Sequence, residues 1–252
     1  MIPRREFIDQ RWVYKAGEHL TTLGASGCGK TKLMNDLLAV TATPTLQSIY
    51  LCMKHQDDTV TDFAREHGHR IVSDWPVPAE RMAWWRNKPS GYILWTAGEP
   101  TEDPAYDESL MAGKMVRAMH HAYSHKRRKR SVPYILVMDE AVELSELRDE
   151  SRRPPIIVGD WTNAVLSRGR SMGVGGWLGT QRPAGLNYKA YNGAIHLLLF
   201  REDDARNRKR FGEIGGFDPK LVEGVVAQLP DYHALYLCKR PGARAICVIG
   251  DR

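Results

Sequence analysis

A glycine-rich segment constrains the fold of this chain more than any other feature. It consists of Gly24, Ala25, Ser26, Gly27, Cys28, Gly29, Lys30 and Thr31. The segment fits the phosphate-binding pattern of glycine, four residues and Gly-Lys-Ser/Thr without a mismatch, between a predicted buried strand (19–23) and a predicted helix (32–40). Glycines let such a loop curl so that its backbone N–H groups and the helix N-terminus face an anion. The pattern predicts a nucleoside triphosphate site, with Lys30 at the β- and γ-phosphates and the Thr31 hydroxyl on Mg²⁺.

A second segment, residues 134–140, supplies the acids that such a site needs. Five apolar residues in a row are typical of a parallel strand covered on both faces, and Asp139 and Glu140 follow directly. Ligands bind at the carboxyl ends of strands in open α/β sheets. We therefore expect Asp139 to hold the Mg²⁺ shell and Glu140 to act as general base on the attacking water. Taken alone, two solvated acids at the end of an ordinary strand are also common.

A third segment follows a helix that is predicted over 154–169 and expected to open at its two prolines. Residues 174–180 are a glycine-rich strand that delivers Thr180 and Gln181 to its carboxyl end. If this strand lies beside the one ending at Asp139, Gln181 would face the γ-phosphate or the attacking water. An amide suits both places, because it can donate and accept hydrogen bonds.

The order of these motifs, with Arg170 before the glycine-rich strand and Thr180-Gln181-Arg182-Pro183 after it, resembles the FtsK–HerA superfamily of DNA-pumping motor ATPases. The resemblance covers about residues 18–240. It implies ATP and Mg²⁺ as cofactors, Arg170 as an arginine finger that reaches a neighbouring subunit's phosphates, and Gln181 as a sensor of hydrolysis. From the sequence alone Arg168 is a rival for the finger, and the resemblance selects Arg170.

The resemblance also implies the partners. An arginine acting across a subunit boundary requires a homo-oligomeric ring, expected to be a hexamer, around double-stranded DNA that is bound without regard to sequence. No membrane-spanning segment or winged-helix domain is recognised beside the motor. The chain in this respect is similar to compact viral packaging ATPases, which adds a viral capsid or portal to the expected partners.

Composition is that of a globular protein. With 252 residues, 26% of them charged and 42% apolar, we expect one α/β domain over 1–252. The resemblance implies that this domain is RecA-like, with helices that flank a mainly parallel central sheet. A small tryptophan-rich insertion is expected at about 75–104. The sequence has neither the run of about eighteen apolar residues that a membrane span needs nor a signal peptide. Its four cysteines are in no metal or redox spacing, which favours a reducing cytoplasm. The resemblance implies a bacterial cytoplasm or a virus-associated protein.

Several features keep two interpretations. The net charge of +6 and the basic runs at 125–130 and 206–210 suit nucleic-acid phosphates or a solvated surface. The aromatic rings of the insertion suit base stacking or, as we favour, a local core; they are Trp75, Trp84, Trp85 and Trp95. A group with the right residue types for zinc lacks a standard spacing, so no zinc site is predicted; it comprises Cys52, His55, His67 and His69.

The remaining segments complete the expected α/β pattern. Residues 1–17 are expected to lead into the first strand. Further strands are predicted at 47–53, 71–72, 91–96, 194–200, 231–238 and 243–249, the last as a closing edge strand, and further helices at 57–67, 107–126, 201–210 and 217–227.

The sequence therefore predicts an ATP-hydrolysing ring motor that translocates or packages double-stranded DNA. One alternative keeps the ATPase but makes its cargo a protein or a virion-assembly step. A second alternative is a nucleotide-dependent assembly switch with negligible turnover.

Overall fold

The structure, a computed structural model of the chain, describes residues 1–53, 57–77, 88–95, 101–124, 133–214 and 216–250. The strands are β1 (Ile2–Pro3), β2 (Leu20–Leu23), β3 (Gln47–Cys52), β4 (His69–Val72), β5 (Gly91–Trp95), β6 (Tyr134–Met138), β7 (Arg148–Asp149), β8 (Ile156–Ile157), β9 (Val174–Thr180), β10 (His196–Phe200), β11 (Ala234–Cys238) and β12 (Ala245–Gly250). The helices are α1 (Arg4–Glu6), α2 (Lys30–Thr41), α3 (Asp58–Glu66), α4 (Pro104–Ser124), α5 (Ala141–Glu146), α6 (Val158–Met172), α7 (Tyr188–Asn192), α8 (Ala205–Gly212) and α9 (Pro219–Val226).

The strands form a mainly parallel sheet, as predicted. Within the described residues its order is β1-β12-β11-β10-β2-β9-β6-β3-β5-β4, and β7 and β8 form a separate pair. Every neighbouring pair from β10 to β4 is parallel, whereas β11 runs antiparallel to both β10 and β12. The strand that leads into the glycine-rich loop, β2, thus lies between β10 and β9.

Helices cover both faces of the sheet and bury two apolar cores. Side chains alternate between the faces of a strand, so each interior strand feeds both cores. In β6, Leu136 and Met138 face one core, and Ile135 and Val137 face the other. The first core also takes side chains from α4, α6 and α9, and the second from α2 and α3. This arrangement explains why the strand before Asp139 is apolar at every position.

The first residues contribute more to the fold than a lead into β2. Ile2 and Pro3 pair with β12 in parallel, so the strand predicted as the closing edge is covered by a further, two-residue strand. Phe7 is 1% exposed and belongs to the second core. The indole nitrogen of Trp12 donates to Thr41 Oγ1 at 2.8 Å, which fixes the segment to the end of α2. Seventeen residues of mixed polarity gave no periodic signal for this docking.

The helix expected to open at Pro154 begins later. Ile156 and Ile157 form β8, which pairs with β7, and α6 starts at Val158. Prolines restrict the residue before them to extended backbone and supply no N–H donor, which favours a strand here over a first helical turn. The other predicted elements agree with the structure to within a few residues.

The region expected to be an insertion contains a strand of the main sheet, because β5 lies between β3 and β4. Trp75 is 4% exposed and packs edge-on against Tyr92, with ring centroids 5.3 Å apart, so for this tryptophan the core interpretation is confirmed. Trp84, Trp85, His55 and the basic run at 125–130 lie outside the described residues. Among the described helices, none combines the length and apolarity needed to cross a bilayer.

Candidate active site

The glycine-rich loop joins the carboxyl end of β2 to α2, and its conformation depends on glycine. Gly24 has φ of 151° and lies so close to β10 that a Cβ on it would be 2.6 Å from Phe200 Cβ. Gly29 precedes α2 with φ of 95°, a backbone conformation that L side chains rarely adopt. The loop thus leads directly into the N-terminus of α2, whose first backbone N–H groups have no partner within the helix and can bind phosphate.

The Lys30 side chain lies under this loop. Its Nζ donates to the carbonyl oxygen of Ala25 at 2.6 Å, and the residue is 7% exposed. Cys28 Sγ is 3.7 Å from the same nitrogen. Burial raises the pKa of the Cys28 thiol, and the nearby lysine only partly offsets that rise. The loop thus holds a buried cation at the N-terminus of α2, which suits a polyanion.

Thr31 and Asp139 meet at this edge of the sheet. The Thr31 hydroxyl donates to Asp139 Oδ2 at 2.6 Å, although the two residues are 108 positions apart. The Tyr50 hydroxyl donates weakly to the same oxygen at 3.4 Å, and burial raises the pKa of Tyr50 well above its usual value. A hydroxyl and a carboxylate are the hard oxygen donors that Mg²⁺ prefers. The residues therefore fit the predicted ion.

Gly179 on β9 makes room for the Asp139 carboxylate. A Cβ on this glycine would be 2.4 Å from Asp139 Oδ1 and 3.5 Å from its Cα. The glycines of this strand are evident in the sequence, but no sequence pattern gives any one of them a role. The only signal was their number, because the contact depends on how β6 and β9 are registered, with Met138 opposite Leu178.

Glu140 has a strained backbone and a fixed side chain. Its φ of 66° and ψ of 48° put a residue other than glycine in the left-handed region, at the start of α5. Such a conformation costs on the order of 1–2 kcal/mol, and strain of this kind is concentrated at functional sites. Gln181 Nε2 donates to Glu140 Oε1 at 2.5 Å.

The expected adjacency of β6 and β9 is confirmed by their pairing. It brings Gln181 directly to the proposed general base. The amide of Gln181 can hold the Glu140 carboxylate at the edge of the sheet, where the carboxylate can accept a proton from water.

Arg170 lies at the opposite end of the parallel strands, where they begin. It belongs to the last turn of α6, four residues before β9 begins, whereas Gln181 follows the end of β9. Seven strand residues rise about 20 Å, so Arg170 cannot reach the loop of its own chain. Arg170 is exposed, and Arg168 lies over the ring of Tyr123, with its guanidinium carbon 6.0 Å from the centroid.

A buried histidine lies near Arg170. A Cβ on Gly17 would be 2.8 Å from the Arg170 carbonyl oxygen, so the segment before β2 packs directly on the end of α6. His19 Nδ1 accepts a hydrogen bond from the Gly176 backbone N–H at 2.8 Å. Burial, reinforced by the Arg170 cation, lowers the pKa of His19 to about 4. A neutral histidine thus supports the strand ends beside this arginine.

The suggested zinc group does not assemble in the described part of the chain. His69 Nε2 is hydrogen-bonded to Ser48 Oγ at 2.7 Å, and burial lowers the pKa of His69 to about 4. Among the described residues, no cluster of three or more His, Cys, Asp or Glu side chains could hold a metal ion. His69 therefore has a structural contact where zinc binding was considered.

The second basic run, at 206–210, lies on a helix that Asp204 caps. The Asp204 carboxylate accepts hydrogen bonds from the backbone N–H groups of Arg206 and Asn207 at 2.8 and 2.9 Å. This is an N-cap of α8. In the described structure the aspartate thus has a structural contact that spacing alone did not reveal.

Comparisons with known proteins bear on the fold. No family model matches the sequence, and no curated protein does. The chain is similar in three dimensions to the DNA-packaging ATPase B204 of Sulfolobus turreted icosahedral virus, with a TM-score of 0.61 and 17% identity over 92% of this chain and 98% of that one. It is also similar to the genome packaging NTPase B204 of Sulfolobus turreted icosahedral virus 2 in complex with AMPPCP, with a TM-score of 0.58 and 14% identity over 92% and 97%.

A third similar structure contains ATPases 2 and 3 of Thermomonospora curvata EccC in complex with a signal sequence peptide. Its TM-score is 0.51 at 13% identity, over 93% of this chain and 37% of that one. At such identities the similarity concerns the fold. The chain has a RecA-like P-loop NTPase fold, with a mainly parallel central sheet between helices, as its order of motifs predicts.

Proposed function

We propose that the chain is an ATP-hydrolysing motor that moves double-stranded DNA through a homo-oligomeric ring. One observation carries the proposal: the groups for phosphate binding and water activation meet at one edge of the sheet, whereas an exposed arginine lies at the other. The first set comprises Lys30, Thr31, Asp139, Glu140 and Gln181. The arginine is Arg170.

The residues of the loop edge suit hydrolysis of a triphosphate. The loop N–H groups and the Lys30 amine bind the phosphate oxygens, and Thr31 and Asp139 would hold Mg²⁺. Bound there, Mg²⁺ supplies neutralisation of the charge that develops on those oxygens. Glu140 takes a proton from the attacking water, and Gln181 keeps the carboxylate oriented.

The position of Arg170 supports action between subunits. The length of the strands separates Arg170 from the glycine-rich loop of its own chain. It can therefore stabilise phosphate charge only when the Arg170 side of one subunit faces the glycine-rich loop of the next subunit. Repeating this heterologous contact generates a ring if the rotation closes. The proposal therefore includes a ring in which each site is completed by its neighbour.

The charge of the chain supports a nucleic-acid cargo. On α8, Arg210 pairs with Glu213 at 2.8 Å, and Arg208 donates to the Glu202 carbonyl at 2.9 Å. Arg206 and Lys209 are exposed on the same helix. Together with the net charge of +6, these two cations favour contact with phosphates, which carries no sequence information. Both similar viral structures are described as genome or DNA packaging enzymes.

The test is phosphate release by the purified protein with and without duplex DNA. We expect DNA to raise ATP turnover at low salt and the stimulation to fall as salt increases, because phosphate contacts release counterions. Replacing Arg206 and Lys209 with alanine should weaken the stimulation. The control is Arg65→Ala, which removes an exposed arginine on α3, beside the outermost strand β4, and should leave the stimulation unchanged.

Each alternative function has its own outcome in this assay. Turnover that no duplex DNA stimulates at low salt would contradict the DNA motor and favour a protein cargo, for which the shared fold with peptide-bound EccC is the motivating observation. Nucleotide binding without turnover would favour the assembly switch.

A further inference from the structure

Tyr232 borders the glycine-rich loop without any role in the proposed chemistry. It is 58% exposed, although it is a large aromatic residue. A Cβ on Gly29 would be 3.2 Å from its ring atom Cδ1, so the ring lies against the loop at the start of α2. Its φ of 61° also places it in the left-handed region, which is a genuine outlier for a bulky side chain. An exposed ring on a strained backbone therefore lies beside the candidate phosphate site.

The topology shows which part of a nucleotide would lie near this ring. The groups that face the γ-phosphate and the attacking water, Asp139 and Gln181, follow β6 and β9, on one side of β2. A triphosphate in the loop with its γ-phosphate toward these groups extends in the other direction, over β10 and β11. Because β11 is antiparallel to β10, with Ala234 opposite Phe200, the residues before β11 lie at the same edge as the loop. Tyr232 is among them.

The segment that carries Tyr232 is held in place. Arg201 Nη1 is 3.5 Å from Asp231 Oδ1, which joins the end of β10 to the residue before the tyrosine. The His233 backbone N–H donates to the Pro230 carbonyl at 3.2 Å, which closes the turn around it. Fixing the turn lowers the backbone entropy that is lost on binding, and a tyrosine side chain has only two rotatable bonds to order.

We propose that Tyr232 forms one wall of the nucleobase subsite and stacks on a purine ring; this rests on the proposed function, because it requires that the loop binds a nucleoside triphosphate. Stacking depends on the area of the π-face, so a purine binds better than a pyrimidine, whereas the ring itself does not distinguish adenine from guanine. Tyr232 is here a binding residue. It touches no reacting atom.

The experiment compares a ligand that has a base with one that has none. Binding of AMPPCP and of inorganic tripolyphosphate is measured by calorimetry with Mg²⁺ for the wild type, Tyr232→Phe, Tyr232→Ala and Tyr232→Gly. Glycine accepts the positive φ, so it separates loss of the ring from backbone strain. The matched control is Tyr188→Ala, an equally exposed tyrosine (64%) on α7, which precedes the amino end of β10 and so lies away from the loop.

Loss of the ring should weaken AMPPCP binding roughly 5- to 150-fold, the range measured for base–aromatic stacking, and leave tripolyphosphate binding unchanged. Tyr232→Phe and Tyr188→Ala should bind both ligands as the wild type does. A second measurement needs no base-free ligand: the preference for ATP over CTP should shrink in Tyr232→Ala and Tyr232→Gly.

Unchanged AMPPCP affinity without the ring, or an equal loss for both ligands, would overturn the inference, and the latter would make Tyr232 a support of the loop. In both cases the wild type still binds the triphosphate, so the proposed function stands. A wild type that binds neither AMPPCP nor tripolyphosphate would overturn the proposed function and this inference together.

Discussion

Replacing Gly179 with alanine should disable the site without unfolding the protein. The new methyl group would be 2.4 Å from Asp139 Oδ1, about 1 Å inside the contact distance of roughly 3.5 Å. The carboxylate is the softer partner, because the methyl is fixed to a central strand. We therefore expect the Asp139 side chain to move by about 1 Å, which is enough to break its 2.6 Å hydrogen bond with Thr31.

The size of the effect follows from the tolerance of the predicted ion. Mg²⁺ demands near-ideal octahedral geometry at about 2.1 Å, so a displaced ligand is lost rather than stretched. A misplacement of about 1 Å can cost on the order of 100-fold in rate. We expect kcat for ATP to fall by roughly that factor, and overpacking to lower the free energy of unfolding by about 1–3 kcal/mol.

The assay is steady-state phosphate release over a range of Mg²⁺ concentrations, with urea unfolding as the check on folding. Gly176→Ala is the matched control, since a Cβ at that position of the same strand would meet Leu166 at 3.4 Å, an ordinary contact. If Gly179→Ala hydrolyses ATP at the rate of Gly176→Ala with the same Mg²⁺ dependence, Asp139 does not hold the ion as proposed.

Three further predictions concern other parts of the account. Arg170→Ala and Glu140→Gln should each lack ATP turnover alone but regain it when mixed, because an intact site then receives an intact arginine from its neighbour; a mixture as inactive as its components would exclude action between subunits. Gln181→Ala should lower kcat roughly tenfold or more with little change in KM, because it releases the Glu140 carboxylate, and an unchanged kcat would show that the hydrogen bond has no catalytic consequence. The pKa of His19 is about 4 in the folded protein and about 6.5 in the unfolded chain, so between these pH values only the unfolded chain binds the proton. The contribution of the neutral histidine to stability is therefore complete above pH 6.5 and declines as the pH falls toward 4. Lowering the pH from 7 to 5 should therefore reduce the free energy of unfolding, measured in urea, by about 2 kcal/mol less in His19→Asn than in the wild type. Equal reductions in both proteins would refute a neutral buried histidine.

The motifs of the sequence predicted the main elements of the fold and the residues at its loop edge. Phosphate loops and apolar strands that end in acids are local patterns, so Thr31 and Asp139 could be paired before their 2.6 Å contact was seen. The position expected for Gln181 requires that its strand, β9, lies beside β6, and the pairing of the two strands confirms this.

What the sequence left out depends on contacts between distant segments. The role of Gly179 follows from the register of two strands, and the position of Tyr232 from the reversal between β10 and β11. Docking of Phe7 on the second core has no periodic signal, because the apolar residues of this segment recur at neither helical nor strand spacing. The preference of proline for the first turn of a helix predicted that α6 begins at Pro154, but it begins at Val158, after the two prolines and β8.

The most direct test of the central claim is ATP turnover by the purified chain in the presence of Mg²⁺, compared with Lys30→Ala and Glu140→Gln. The account predicts phosphate release by the wild type, loss of both nucleotide binding and turnover in Lys30→Ala, and retained binding without turnover in Glu140→Gln. Turnover that survives both substitutions would contradict a triphosphate site between the glycine-rich loop and the acids that follow β6.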